Sequence, residues 1–195
     1  MRRVASLMAA VGLVLAATGC TSLQGTGDKG YVTGDGAIRT IPVADRGDAI
    51  SLSGEDLDGK PISLASMRGK PTVVTVWGSW CASCRKDSPY LVEAQKQLGD
   101  RVNFVGIDSR DAGTSQAKAY NERFGIGWPS FFSPGGEALL AFPGVLGLRT
   151  IPAFAVLDAE GRVAASIIGK LPSRQTLVDV TKDVVDETRD GPRNG

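Results

Sequence analysis

Hydrophobic and polar residues alternate in blocks along this chain, and each block has its own period. Thr72–Trp77 (TVVTVW) is a β-branched run without a charge, which predicts a strand buried on both faces. Residues 102–107 (VNFVGI) and Ala153–Leu157 predict two more strands. Between the first two, Ala82–Leu98 reads as a helix with Pro89 inside it. Proline removes one i→i−4 hydrogen bond, so a kink is expected there. Thr114 or Ser115 is expected to cap a helix running to about Phe124. The Gly/Pro-rich residues 125–142 hold a short strand near 130–132 and a helical turn at 137–140. Residues 158–161 form a turn whose second arm is a strand at 162–168, and Ser173 opens a last helix to about Glu187. Before all of these, residues 50–52 and 61–64 flank Asp58-Gly59 as a β-hairpin. The order predicts an α/β fold: a central mixed sheet with helices on both faces and an added N-terminal β-hairpin.

The chain begins differently. Arg2-Arg3 precede an uncharged stretch at residues 4–18, too short to span about 30 Å of hydrocarbon comfortably but suited to the apolar core of a signal peptide. It ends Ala17-Thr18-Gly19-Cys20, which resembles a bacterial lipobox, with Ala17 where the usual pattern has leucine. The resemblance implies cleavage before Cys20 and lipid attachment to it. The expected organisation is a signal peptide at 1–19, lipidated Cys20 with a flexible Gly/Thr/Asp-rich tether at 20–47, the α/β domain at 48–189 and a disordered tail at 190–195. Such a domain is exported, where disulfides persist.

Composition narrows the function. The 195 residues carry 22 Lys+Arg against 21 Asp+Glu, so the electrostatic footprint of a nucleic-acid binder is missing. There is no histidine, which excludes Ser-His-Asp and Cys-His catalysis and imidazole metal sites. The three cysteines are Cys20, Cys81 and Cys84.

Cys81-Ala82-Ser83-Cys84 lies where a buried strand hands over to a helix. A spacing of three on a helix puts both thiols on one face, within disulfide reach. Cys81 falls at the helix N-terminus, where unpaired N–H groups and the dipole favour the thiolate. Cys84, one turn further in, is expected to be more buried. Cys81 is then the nucleophile, and Cys84 the thiol that resolves a mixed disulfide. Zinc would need two further Cys or His ligands, and c-type haem would need histidine where Arg85 stands. No metal and no cofactor beyond a Cys81–Cys84 disulfide is expected.

The run Trp77 to Pro89 (WGSWCASCRKDSP) resembles the active-site signature of exported thioredoxin-like reductases, the TlpA/ResA-like family. Asp56 to Leu64 and Gly69-Lys70-Pro71 resemble that family's entry segment, and Thr150-Ile151-Pro152-Ala153 its cis-proline loop. The resemblance implies a thioredoxin-like fold and thiol–disulfide exchange. It also implies that Pro152 is cis and faces the disulfide, and that the Ile151 backbone is left to pair with a substrate strand. Ser83 and Thr75 depart from the pattern, where proline and the thioredoxin aspartate are usual. Asp87 stands where the family tends to have glutamate, and is a candidate for proton transfer to the thiols. Trp80 is a candidate rim of the substrate groove, whereas Trp77 and Trp128 read as packing.

The expected function is a monomeric, lipid-anchored disulfide reductase acting on exported proteins, including apocytochrome c, and recharged by a membrane thiol donor of the CcdA/DsbD type. Two alternatives stay open at this point. One is an oxidant or isomerase of secreted proteins. The other is a lipoprotein whose thiols hold a soft metal such as Cu(I).

Overall fold

The structure is a computed structural model and describes residues 32–33, 37–147 and 149–190. Cys20, the signal peptide, residues 21–31 of the tether and the tail from 191 lie outside them. Nine strands occur among the described residues: β1 (Val32–Thr33), β2 (Ala37–Thr40), β3 (Ser53–Glu55), β4 (Pro61–Ser63), β5 (Thr72–Trp77), β6 (Asn103–Ser109), β7 (Ser130–Ser133), β8 (Ala153–Leu157) and β9 (Val163–Ile168). Three α-helices accompany them: α1 (Ala82–Leu98), α2 (Thr114–Phe124) and α3 (Arg174–Asp190). Seven strands form one mixed sheet in the order β1-β2-β9-β8-β5-β6-β7, while β3 and β4 pair separately as a hairpin whose first arm is Ser53–Glu55 and not the expected 50–52. β5 lies between parallel β6 and antiparallel β8.

The alternation of β5 divides the core. Val73 joins a layer with Leu91, Ala94 and Leu98 of α1 and Leu177, Val178 and Val184 of α3. Val74 and Val76 face the other way, onto Leu64, Phe131, Leu139 and Phe142. That second face is covered by 3₁₀ turns at Leu64–Met67 and Glu137–Ala141. Fully buried side chains of this size each contribute about 1.5–3 kcal/mol. α1 runs on through Pro89 to Leu98.

Two boundaries move. Residues 37–46, expected in the tether, belong to the fold. β2 pairs along β9 with Ile38 opposite Ile167, and Arg46 reaches Asp158 and Glu187. A four-residue edge strand has too little periodicity to announce itself, because its partner strand defines it. The second helix starts at Thr114 behind Gly113, with no side-chain cap, so neither Thr114 nor Ser115 caps it. Ser173 does cap α3: its Oγ accepts the Thr176 N–H at 3.1 Å.

Candidate active site

β5 ends at Trp77, and Gly78-Ser79-Trp80 carries the chain to α1. Gly78 is there because a Cβ would collide with Trp80 Nε1 and stand 2.8 Å from the Ser109 carbonyl. Cys81 is the N-cap of α1, extended at φ −77° and ψ 111°. Its sulfur accepts the Cys84 N–H at 3.1 Å. Cys81 and Cys84 form a disulfide with their Cα atoms 5.2 Å apart.

The expected difference in burial is not observed: Cys81 is 4% exposed and Cys84 3%. What separates them is electrostatic. Only Cys81 caps the helix, so on reduction its sulfur has the N–H donor and the positive end of the dipole, and these favour its thiolate.

Behind the disulfide lies a small cavity lined by Thr75, Cys84, Asp87, Ser88, Tyr120 and Pro152, among others. The Ile151–Pro152 peptide is cis. Half-buried Ile151 packs on the cluster that contains both cysteines. Asp87 is buried, and its Oδ2 accepts the Leu171 N–H at 3.0 Å. Burial raises its carboxyl above the ordinary range, against the opposing pull of that hydrogen bond and the Lys170 charge. Ser88 and Tyr120 share a hydrogen bond of 2.6 Å, and burial pushes the Tyr120 phenol up to about 12. Trp77 stacks on Tyr120 with ring centroids 4.5 Å apart, and Trp128 packs on Phe104. Trp80 is the exposed tryptophan, at 44%, with its Nε1–H donating to the Ser109 carbonyl.

The structure thus brings Cys81, Cys84, Asp87, Ile151 and Pro152 together and places Trp80 at their surface edge. It adds residues that sequence reasoning passed over: Ser79, Ser88, Asp108, Arg110, Asp111 and Tyr120. The one available signal was the charged Asp-Ser-Arg-Asp run closing a buried strand. Among the described residues no group of three or more Cys, Asp or Glu is placed to hold a metal, and no helix is long and apolar enough to cross a membrane.

Known proteins resemble this chain in sequence and in fold. The thiol-disulfide oxidoreductase ResA of Bacillus thuringiensis (strain Al Hakam) is 27% identical over 121 residues, 62% of this chain and 67% of that one. A secreted thiol-disulfide isomerase from Corynebacterium glutamicum superposes with a TM-score of 0.72 at 27% identity, covering 77% of this chain and 92% of the other. A DsbF homologue from Corynebacterium diphtheriae gives 0.70 at 30%, covering 75% and 92%. The fold is thioredoxin-like and the cysteine pair is that of a thiol–disulfide oxidoreductase. The family model described as Redoxin matches residues 42–184, most of the chain, and the protein belongs to that family.

Proposed function

We propose that this protein is a disulfide reductase of exported proteins, held at the outer face of the cell membrane by lipid on Cys20, with apocytochrome c among its substrates. The observation that carries the exchange chemistry is the capping geometry of Cys81. Its sulfur sits at the start of α1 with the Cys84 N–H upon it, beside the cis-Pro152 loop. The reductive direction rests on the likeness to ResA.

In the reduced protein the Cys81 thiolate attacks a substrate disulfide. A bond forms between Cys81 and one substrate sulfur, and the other substrate sulfur leaves as a thiolate that takes a proton. Cys84 then gives its proton to Asp87 and attacks Cys81. The Cys81–Cys84 disulfide closes, and the second substrate thiol departs with a proton. Two electrons and two protons pass to the substrate. A membrane dithiol of the CcdA/DsbD type restores the pair by the reverse exchange. The Ile151 backbone would pair with the substrate strand and Trp80 would line its groove. The protein acts as a monomer.

The test is Cys84→Ser, which traps mixed disulfides at Cys81 in cells. Capture of apocytochromes with CxxCH motifs is expected. Capture of miscellaneous secreted proteins, with a potential of about −120 mV for the intact Cys81–Cys84 pair, would instead mark an oxidant or isomerase. The Corynebacterium glutamicum relative, a secreted isomerase, keeps that second reading in view. No capture at all would remove the exchange mechanism.

A further inference from the structure

The end of β6 grips the loop that carries the nucleophile. Asp111 is buried and uses both carboxylate oxygens on one residue: Oδ2 accepts the Ser79 N–H at 3.0 Å, and Oδ1 accepts the Ser79 Oγ–H at 2.7 Å. Ser109 accepts the Trp80 indole N–H at 3.1 Å. Arg110, between them, holds φ 64°, which a side-chain-bearing residue rarely adopts, and lays its guanidinium 4.4 Å from the Trp80 ring centre. Three consecutive residues therefore hold two consecutive residues, and those two lead directly into Cys81.

Asp108 lies under this clasp. It pairs with Trp77 across the sheet and is 0% exposed, and neither of its oxygens meets an N–H or O–H donor. The charge that faces it is the carboxylate of Asp111. Around the pair stand Tyr120 of α2, which feels the Asp111 charge, Arg85 of α1, which donates to the Ser79 carbonyl, and Arg110 over Trp80. Two buried carboxylates in contact cannot both ionise at ordinary cost. A proton on one of them serves as the missing donor and turns repulsion into a hydrogen bond. Burial first, then the bond to Asp111 and its charge, push Asp108 up to about 8.

We propose that Asp111 is a positioning residue for Cys81, acting through Ser79, and that Asp108 holds the proton which lets the two carboxylates stand together. This rests on the reading of Cys81 as the exchange nucleophile. At neutral pH one proton bridges the pair and the clasp is closed. In alkali that proton leaves to solvent, and a second negative charge appears beneath the loop. The charge opposes the Cys81 thiolate and loosens Ser79.

The reduced protein is alkylated with iodoacetamide from mildly acidic to alkaline pH, with Cys84→Ser isolating Cys81. The rate is expected to need two titrating groups. Asp108→Asn, whose amide donates to Asp111 at every pH, should need one. An identical two-step profile in Asp108→Asn overturns the proposal. Asp111→Ala, which removes both bonds to Ser79, should slow Cys81 about tenfold, as loss of orientation does, Ser79→Ala, which removes only the hydroxyl bond, should slow it less, and the double variant should cost no more than Asp111→Ala alone. Additive losses overturn the link through Ser79. Infrared spectra of the folded protein at neutral pH should show a protonated carboxyl band that Asp108→Asn removes and Asp87→Asn leaves. Its absence overturns the proton assignment, even if the Asp111 variants do not fold. Failure of the exchange reading would look different: Cys81 would form no mixed disulfide, while the band would persist.

Discussion

Two clusters of buried charge sit at opposite ends of the central sheet and are built in opposite ways. At the end of β8, Asp158 accepts two backbone N–H groups, from Glu160 and Arg162, and the guanidinium groups of Arg46 and Arg162. Arg46 also binds Glu187 of α3. Every strong acceptor there has a donor. At the end of β6, Asp108 has none, and its neighbour is another acid. The first cluster ties the segment before the hairpin to the β8–β9 turn and to α3. The second leaves a buried acid without a donor and lies against the loop of the redox disulfide. A buried acid with its full complement of donors reads as structure, and one without reads as function.

Breaking the satisfied cluster should have the largest effect on stability. Arg46→Ala removes one guanidinium from buried Asp158 and strands the Glu187 contact, which should cost about 3 kcal/mol. Urea unfolding measures it. The Cys81 exchange rate should not change, and a matching loss of exchange would mean the two ends are not separate devices.

Asp108→Asn should move stability the other way, by a smaller amount. The folded protein holds the Asp108 proton up to about 8, whereas the unfolded chain releases it near 4. Wild-type stability therefore falls as pH rises through that window and is level above it. The amide carries no such titration. At neutral pH the variant should be more stable by about 2 kcal/mol or more, and the difference should vanish below the unfolded carboxylate range. Equal stability across the window would mean that Asp108 is not the uncompensated acid it looks to be.

These clusters differ in how far the sequence reveals them. Thr72–Trp77 and Ala82–Leu98 were legible to the residue, because each has one uninterrupted pattern that local sterics enforce. The Cys81–Cys84 pair was legible from spacing alone, and Pro152 from the motif around it. Asp108 was not. The pattern predicts a strand only to Ile107, since an aspartate normally ends a buried run, yet β6 continues to Ser109 alongside Phe132 and Ser133 of β7. The partner strand keeps it in the sheet. β2 has no local signal for the same reason, since its pairing with β9 joins residues far apart in the chain. The expected burial difference between the cysteines is absent because depth along a helix is not depth from solvent. The neighbouring loops and α2 cover both sulfurs equally.

Asp87 falls between the two extremes and gives the finest test. It is as buried as Asp158, but it is supported by the backbone N–H of Leu171 and the charge of Lys170. Its carboxyl is raised by burial, so the sign is that of Asp108. Stability should fall as pH rises from the unfolded carboxylate range through the raised value, and Asp87→Asn should remove that slope. The gain should be smaller than for Asp108→Asn, because the support that Asp108 lacks is partly present here. The chemical consequence differs as well. Asp87 shares a cavity with Cys84, not with the helix cap, so its loss should spare the first attack by Cys81 and slow the closing attack by Cys84. Stopped-flow measurement of the two steps with a disulfide peptide should show the second slowed about ten- to a hundredfold and the first unchanged. Equal slowing of both steps would make Asp87 a packing residue. No slowing of either, with the Cys84 titration unmoved, would mean its proton never reaches the sulfur.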